Sequence, residues 1–366
     1  LRWAGRFEHN DARNTVLPSG NAHKWGHRRA KGILETVNHS STQPGQVVIA
    51  VDVGGTGIKC GLVTPDHEVL HSERHKTRTE RGAAAVIETI LGVAEGLAAK
   101  AAVEGLTPVA AGIAIPGVVD ESAGVVRYAS NMGGLKDTPL RQLAADRLDL
   151  PVRVGHDVRT GGLAEATLGA GKGFDEVLFI PIGTGIAAAH IIGGKVLAGG
   201  HWGAGEIGHI IVRPGGPLCG CGQRGCLESI ASASAVGRRY SERVGTTATA
   251  RDVAERAAAG DVIAAEVWAE TVDALAAALL TAQALYDPEL VVVGGGLAEA
   301  GEQLLGPLRV ALRERIAFFT EPEIVRAKLG DEAGCLGAAL LALSVAELDH
   351  PTDQAAPVTV EHVTAP

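Results

Sequence analysis

Three cysteines lie within eight residues in Cys219-Gly220-Cys221-Gly222-Gln223-Arg224-Gly225-Cys226, and His209 stands ten positions before the first. Three thiolates and one imidazole are four donors of the softness and number that zinc takes in a tetrahedral site, and the intervening glycines permit the tight wrapping a Cys-x-Cys pair demands. With every position filled by protein the metal is expected to be structural, contributing on the order of 10 kcal/mol to ordering the loop if it behaves as small zinc modules do. A loop of free thiols is the plainer alternative. Glu206 and Glu228 flank the segment; each is either an ordinary surface or helix-opening acid, or a group the metal loop presents to a polyol. The other two of the five cysteines, Cys60 and Cys335, sit in apolar runs and read as small core residues. An odd total without a signal-peptide pattern speaks against a secreted disulfide framework.

Glycine-rich turns supply a second kind of chemistry. Gly54-Gly55-Thr56-Gly57 and Gly183-Thr184-Gly185 each follow an apolar run, and Gly294-Gly295-Gly296 follows a third. Glycines there let backbone N–H groups converge on an anion with no Cβ in the way, so the three segments together point to a nucleotide site, although any one alone could be only a turn. None has the Walker spacing and none is G-x-G-x-x-G opening a helix, which implies a different phosphate-binding fold. Asp52 ends the first apolar run just before its glycines. It is either a turn-former or a carboxylate that holds Mg2+ against bound phosphates, usually through water; the desolvation of an unpaired Asp at such a place favours the second reading. Asp157, in Gly155-His156-Asp157-Val158, precedes a helical run, and local sequence reads it first as an N-cap. The same place suits a base that accepts a hydroxyl proton during phosphoryl transfer.

The elements that must hold these groups follow from periodicity. Residues 47–53 and 58–63 read as a hairpin around the first glycines, 69–76 as a third strand, 82–104 as an Ala-rich helix and 109–115 as a buried strand. The scheme of strand, Gly-Thr-Gly and strand recurs at 177–192, ending in a Gly193-Gly194-Lys195 turn, which suggests a duplicated domain. A short strand at 151–154 and a helix at 158–168 carry Asp157; helices at 250–259 and 261–286, a strand at 290–293 and a final helix at 332–348 complete the pattern. Residues 1–46 lack apolar periodicity and include a polar stretch at 38–45, so they read as a disordered extension. The chain begins with Leu1, and a start at Val37 is the accompanying expectation; intact-mass analysis finding residues 1–36 attached would reject it. The tail from Asp349, with Pro351, Pro357 and Pro366, reads as unstructured.

A chain of 366 residues, 46% hydrophobic and 20% charged, is long enough for two cores, and it has no apolar run of the roughly 18 residues that would span a bilayer. A cytosolic protein is expected. The net charge of -9 gives no overall attraction to nucleic acid or anionic lipid, so neither nucleic acid nor membrane is an expected partner.

Taken together these segments resemble the ROK family, whose name joins repressors, open reading frames and kinases, over roughly residues 47–348. Asp52-Val53-Gly54-Gly55-Thr56-Gly57-Ile58-Lys59 is similar to the family's first phosphate motif, Ile182-Gly183-Thr184-Gly185 to the second, Val293-Gly294-Gly295-Gly296 to the adenosine motif, and His209 with the three cysteines to its zinc signature. The resemblance implies an α/β, actin-like ATPase (ribonuclease H-like) fold of two lobes with mixed sheets, duplicated phosphate-binding hairpins and a zinc loop. A small lobe at 47–160 would be completed by the last helix, and a large lobe would span 161–331. The implied activity is ATP-dependent phosphorylation of the 6-hydroxyl of a hexose, glucose above all, with Mg2+ accompanying ATP, and the implied assembly is a homodimer or higher homo-oligomer.

Carried over by position, the resemblance assigns Gly117, Asn131, His156, Asp157, Glu206, His209 and Glu228 to the sugar, with Asp157 also taking the proton. His209 would bind zinc through one ring nitrogen and face the sugar with the other. Asp52, Gly54, Gly55, Thr56, Gly57, Lys59, Gly183, Thr184, Gly185, Gly294, Gly295 and Gly296 would hold ATP and its Mg2+.

The chain departs from the bacterial glucokinase pattern at the sugar pocket. His156 stands where an Asn usually precedes the catalytic Asp, and Ala129-Ser130-Asn131-Met132-Gly133-Gly134-Leu135 lacks the Pro before and the Trp after its Asn. Kinases for another hexose or an N-acetylated amino sugar are therefore alternatives. So is a sugar-sensing repressor of the same family; those carry an N-terminal DNA-binding domain, whereas the roughly 46 residues before the first strand show no paired amphipathic helices. Thr56-Gly57-Ile58-Lys59 is also similar to polyphosphate glucokinases, which lack the cysteine cluster, so ATP is the expected donor.

Overall fold

The computed structural model describes residues 45–129 and 131–346. The expectations for residues 1–44, including the Val37 start, and for the tail from Asp349 lie outside the described residues.

A meander of β1 (Gln46–Val53), β2 (Gly57–Val63) and β3 (Val69–Lys76) leads through α1 (Ala83–Val103) to β4 (Thr107–Ile115). Three short strands follow, β5 (Val118–Asp120), β6 (Val125–Ala129) and β7 (Leu135–Thr138), then α2 (Leu140–Leu148), β8 (Val152–His156) and α3 (Asp157–Thr167). The plan then restarts with β9 (Glu176–Pro181), β10 (Ala189–Ile192) and β11 (Lys195–Val196). After the cysteine loop come α4 (Leu227–Ala231), α5 (Ala233–Val244), α6 (Ala250–Ala258) and α7 (Val262–Tyr286), and then β12 (Leu290–Gly294), α8 (Glu302–Arg313), β13 (Glu323–Arg326) and α9 (Ala333–Ala346).

The strand orders are β3-β2-β1-β4-β8 and β11-β10-β9-β12-β13. In both sheets the first three strands pair antiparallel and the last three parallel. The duplication that two glycine turns implied thus extends through two whole five-stranded sheets. β5, β6 and β7 form a small sheet of their own, inserted only in the first half.

β1 is apolar at nearly every position because it is buried on both faces. Val47, Ile49, Val51 and Val53 enter the core shared with α1, while Val48 and Ala50 enter the one shared with α9. In the second sheet, Leu178 and Ile180 face the helices α4 to α8, and Val177 and Phe179 face α3. α3 therefore packs on β9 and β10 although it follows β8, and α9 packs on β1 and β4 although it follows β13. The two exchanged helices touch along small residues: a Cβ on Gly337 of α9 would collide with the Thr160 carbonyl of α3, and one on Gly112 of β4 with the Ala338 carbonyl. Among the described residues no helix is long and apolar enough to cross a membrane.

Some local readings need adjusting. The strand expected across 186–192 pairs only from Ala189, with Ile186 making a single bridge to Ile182. The N-cap of α3 is His156, whose side chain accepts from the Arg159 N–H, and Asp157 is the first residue of the helix. The capping reading of Asp157 is thereby corrected, and its carboxylate is left for other work.

Candidate active site

The two Gly-Thr-Gly turns use the same device. In the first, the Gly54 N–H donates to the Gly57 carbonyl at 2.9 Å; in the second, the Gly183 N–H donates to the Gly185 carbonyl at 3.0 Å. Thr56 and Thr184 are exposed at the two tips. The first turn is fastened to the end of β3 by the Thr77 hydroxyl, which donates to the Gly54 carbonyl at 2.6 Å. The third glycine run abuts the second turn: the Ile182 N–H donates to the Gly294 carbonyl at 2.9 Å, and the Leu297 N–H returns to the Ile182 carbonyl at 3.0 Å.

Most of these glycines are required by their neighbours. A Cβ on Gly57 would press on the His75 carbonyl, on Gly185 the Glu228 carboxylate, on Gly294 the Phe179 ring and on Gly295 the Ile182 backbone. Gly55, Gly183 and Gly296 differ, because a Cβ at each would meet no atom within 4 Å and none has a positive φ. Internal packing does not explain them, and their backbone is open to close approach.

Asp52 lies near the end of β1, opposite Lys59 of β2, and beneath α9, where a Cβ on Gly334 would collide with its carboxylate. Burial pushes its carboxyl up to about 6, with the Lys59 charge partly offsetting this and the charges of Asp157 and Asp331 adding to it. Lys59 itself is ion-paired with Asp331.

Asp157 is also pushed up to about 6 by burial, against the lowering effects of the Val158 N–H, which donates to Oδ1 at 2.7 Å, and of the Arg159 charge. Its neighbour His156 is held down to about 4 by burial and then by Arg159, so the imidazole is neutral at pH 7. Because His156 Nδ1 accepts the capping bond from Arg159 N–H at 3.4 Å, the ring proton belongs on Nε2, which lies 3.4 Å from Asp157 Oδ1.

Two residues that sequence reasoning missed support this corner. Arg159 is almost fully buried and donates from Nε to Glu121 Oε1 at 2.8 Å and from NH1 to the Trp202 carbonyl at 3.0 Å. The same Glu121 oxygen accepts the His156 N–H at 3.1 Å. Glu121, just after β5, thus ties the inserted sheet to the start of α3 and, through Arg159, to the loop before Glu206. An acid in a turn and an arginine in a first helical turn carry no local signal of such a partnership. Gly334 could have been noticed as a glycine inside a helical pattern.

Gly117 sits between β4 and β5 at φ 113, where a side chain would collide with the Tyr128 carbonyl. Asn131 is exposed in the turn between β6 and β7. Glu228, in the first turn of α4, accepts the Ile186 N–H at 3.0 Å and so lies against the second glycine turn.

The cysteine loop brings its four donors together: one ligand atom each from His209, Cys219, Cys221 and Cys226 lies within 4.8 Å of all the others. His209 Nδ1 is 3.6 Å from Cys219 Sγ, and Cys221 Sγ is 3.6 Å from Cys226 Sγ. The edge of a zinc tetrahedron with bonds of about 2.3 Å is about 3.7 Å, so the set fits that ion. His209 Nε2 points the other way, 4.0 Å from Glu206 Oε2. Cys226 directly precedes α4, so the loop also sets where Glu228 begins.

Residues 48–345 match the ROK family. The chain is 36% identical over 312 residues to the glucokinase of Thermotoga maritima, covering 80% of this chain and 96% of that protein. It is 30% identical over 294 residues to the N-acetylmannosamine kinase of Escherichia coli O139:H28, covering 80% of this chain and 97% of that protein. A ROK family glucokinase from Streptomyces griseus, solved in complex with glucose and AMPPNP, superposes with a TM-score of 0.70 at 32% identity, covering 81% of this chain and 99% of that one. The fold is that of an actin-like ATPase. The chain belongs to the ROK family.

Proposed function

We propose that this sugar kinase transfers the γ-phosphoryl group of ATP to the 6-hydroxyl of a hexose, with glucose as the substrate. The observation that carries the reading is Asp157: a half-buried carboxylate released from helix capping, ion-paired with no Lys or Arg among the described residues, near a second raised carboxylate, Asp52. With Oδ1 engaged by the Val158 N–H, the other carboxylate oxygen would accept the hydroxyl proton as the sugar oxygen attacks phosphorus and ADP departs. Gly55, Gly183 and Gly296 offer bare backbone to the nucleotide, joined by the other glycines of the three runs and by Thr56, Lys59 and Thr184. Asp52 would hold Mg2+ through water, and that ion would supply charge neutralisation at the phosphates. Gly117, Asn131, His156, Glu206, His209 and Glu228 would surround the sugar, in a cleft between a lobe at 47–160 completed by α9 and a lobe at 161–331.

In this reading His209, Cys219, Cys221 and Cys226 hold a structural zinc that fixes the tautomer and orientation of His209, leaving Nε2 for the sugar. The protein would act in the cytosol as a homodimer. The similarity to an N-acetylmannosamine kinase, together with His156 in the pocket, supports a second reading in which an N-acetylated amino sugar is the substrate. ADP release from Mg-ATP across glucose, mannose, fructose, N-acetylglucosamine and N-acetylmannosamine decides between them. Turnover strongest with glucose and lost in Asp157→Asn is the expected result. Preference for an acetylated sugar selects the second reading, and no turnover with any sugar in folded, zinc-replete protein overturns both.

A further inference from the structure

β3 is an edge strand, and its sequence His71-Ser72-Glu73-Arg74-His75 puts His71, Glu73 and His75 on one face at alternate positions. Directly across the ladder, Cys60 of β2 pairs with Glu73. Cys60 is fully buried, and its Sγ lies 3.8 Å from Glu73 Oε1 and 3.7 Å from the Glu73 carbonyl. His75 Nε2 is 2.9 Å from the same Oε1, while His71 Nε2 is 3.3 Å from the other oxygen, Oε2. The ligand atoms of Cys60, Glu73 and His75 all lie within 4.8 Å of one another.

We infer that this edge carries a second divalent-metal site, formed by Cys60 Sγ, Glu73 Oε1 and His75 Nε2 and taking zinc or a similar borderline cation. The donor set is one sulfur, one nitrogen and one oxygen, which suits such an ion and not Mg2+ or Ca2+. His71 occupies the second carboxylate oxygen and so orients the first toward the other two donors, the usual part of an outer partner at a metal site. Glu73 and His75 are partly exposed, so a cation reaches the site from solvent and a water completes its coordination. A ladder of ion pairs along the edge strand explains the histidines and the glutamate; the Cys60 thiol, which donates to the Glu73 carbonyl and Oε1, adds a sulfur to that ladder, and a bound cation would take the place of the thiol proton that burial otherwise holds. The site adjoins the first glycine turn: a Cβ on Gly57 would lie 3.3 Å from the His75 carbonyl, and β3 runs on to Thr77, which holds Gly54. Cross-linking β2 to β3 here fixes β2, one arm of the β1–β2 hairpin that bears the turn. None of this depends on the proposed substrate.

The test is metal stoichiometry on the full chain after equilibrium dialysis against zinc, read by mass spectrometry of the metal, with cobalt substitution to detect thiolate-to-metal charge transfer. Wild type should hold two ions per chain, one for each donor cluster. His75→Ala, Glu73→Gln and Cys60→Ser should each hold one, and in the cobalt protein each should lose part of the charge-transfer band. Glu73→Gln and His75→Ala change partly exposed side chains, so they keep the test valid if the buried Cys60→Ser variant fails to fold. One ion per chain in wild type overturns the proposal. So does a second ion that persists, with an unchanged spectrum, in folded Cys60→Ser, because that ion would be held by surface histidines alone.

Discussion

Asp157 opens α3, the helix that follows the last strand of the first sheet, and Asp331 lies two residues before α9, the helix that follows the last strand of the second. Their electrostatics are opposite. Asp331 is exposed and meets the Lys59 ammonium and, at 2.6 Å, Arg74 NH2, which together hold its carboxyl below the usual range. Asp157 faces a neutral imidazole, and burial raises its carboxyl to about 6. A carboxylate already satisfied by two cations has little basicity left, whereas one kept short of partners retains it. Duplicating a frame therefore does not duplicate its chemistry; the side chains that arrive from neighbouring strands decide which copy can act as a base. The halves differ in their insertions as well. The first adds the β5–β7 sheet, which delivers Glu121 to the start of α3, and the second adds the cysteine loop, which sets His209 and Glu228.

The contrast is sharpest at the two aspartates. Asp157→Asn should lower kcat by roughly 10²- to 10⁴-fold, the usual range for loss of a general base. Asp331→Asn should change it by less than about fivefold, because an exposed ion pair contributes no more than about 1 kcal/mol. Steady-state ADP release from both variants measures this, and a larger loss in Asp331→Asn breaks the comparison.

Next in size is the support under Asp157. Arg159→Met leaves Glu121, whose side chain is 26% exposed, without its partner and should destabilise the fold by on the order of 3 kcal/mol, at the low end for breaking a buried pair. Urea denaturation reads the change, and a loss of catalytic rate in the folded fraction would confirm that the arginine positions the base.

If the cysteine loop holds zinc as proposed, stripping that ion should weaken sugar affinity by about 10- to 100-fold, as loss of an orienting partner does at metal sites. Calorimetric titration with glucose before and after chelation measures it, with zinc add-back restoring binding. Unchanged affinity would separate His209 from the sugar.

The smallest expected effect is on stability. A carboxyl raised in the folded state disfavours folding once the unfolded chain ionises. The contribution of Asp157 should therefore be absent below about pH 4, grow more unfavourable up to about pH 6 and stay constant above that. Asp157→Asn should consequently be more stable than wild type at neutral pH by on the order of 1 kcal/mol, with the difference vanishing near about pH 4. Equal stability at both pH values would contradict the raised carboxyl.

Much of the fold was legible because its signals are local. The β1–β2 hairpin, β3, α1, α7 and α9 announce themselves through long apolar runs, alternation or Ala-rich helical composition, and they fall within a residue or two of their expected limits. The clustering of His209 with Cys219, Cys221 and Cys226 was legible for a different reason, since three thiols lie within eight residues of sequence. β5 to β7, α2 and β13 were missed because runs of three to nine residues give periodicity too little length to register. α8 hides behind Pro307 within its own span. At the site, Asp52 and Asp157 could be nominated from strand ends and glycines. The identity of the cap at α3 could not, because a histidine caps only when its surroundings keep it neutral, and that depends on burial by distant segments. Arg159, Glu121 and Asp331 were hidden likewise, as each works with residues at least 35 positions away.

The most direct test of this account is a titration of the side-chain carboxyl carbons by NMR on 13C-labelled protein, with Asp157→Asn, Asp52→Asn and Asp331→Asn used to assign the three resonances. Asp157 should titrate near pH 6, together with Asp52, while Asp331 titrates below the ordinary carboxylate range. An Asp157 midpoint at or below about 4, alongside Asp331, would mean that the two halves present equivalent carboxylates, and the assignment of the base to the first half would fall.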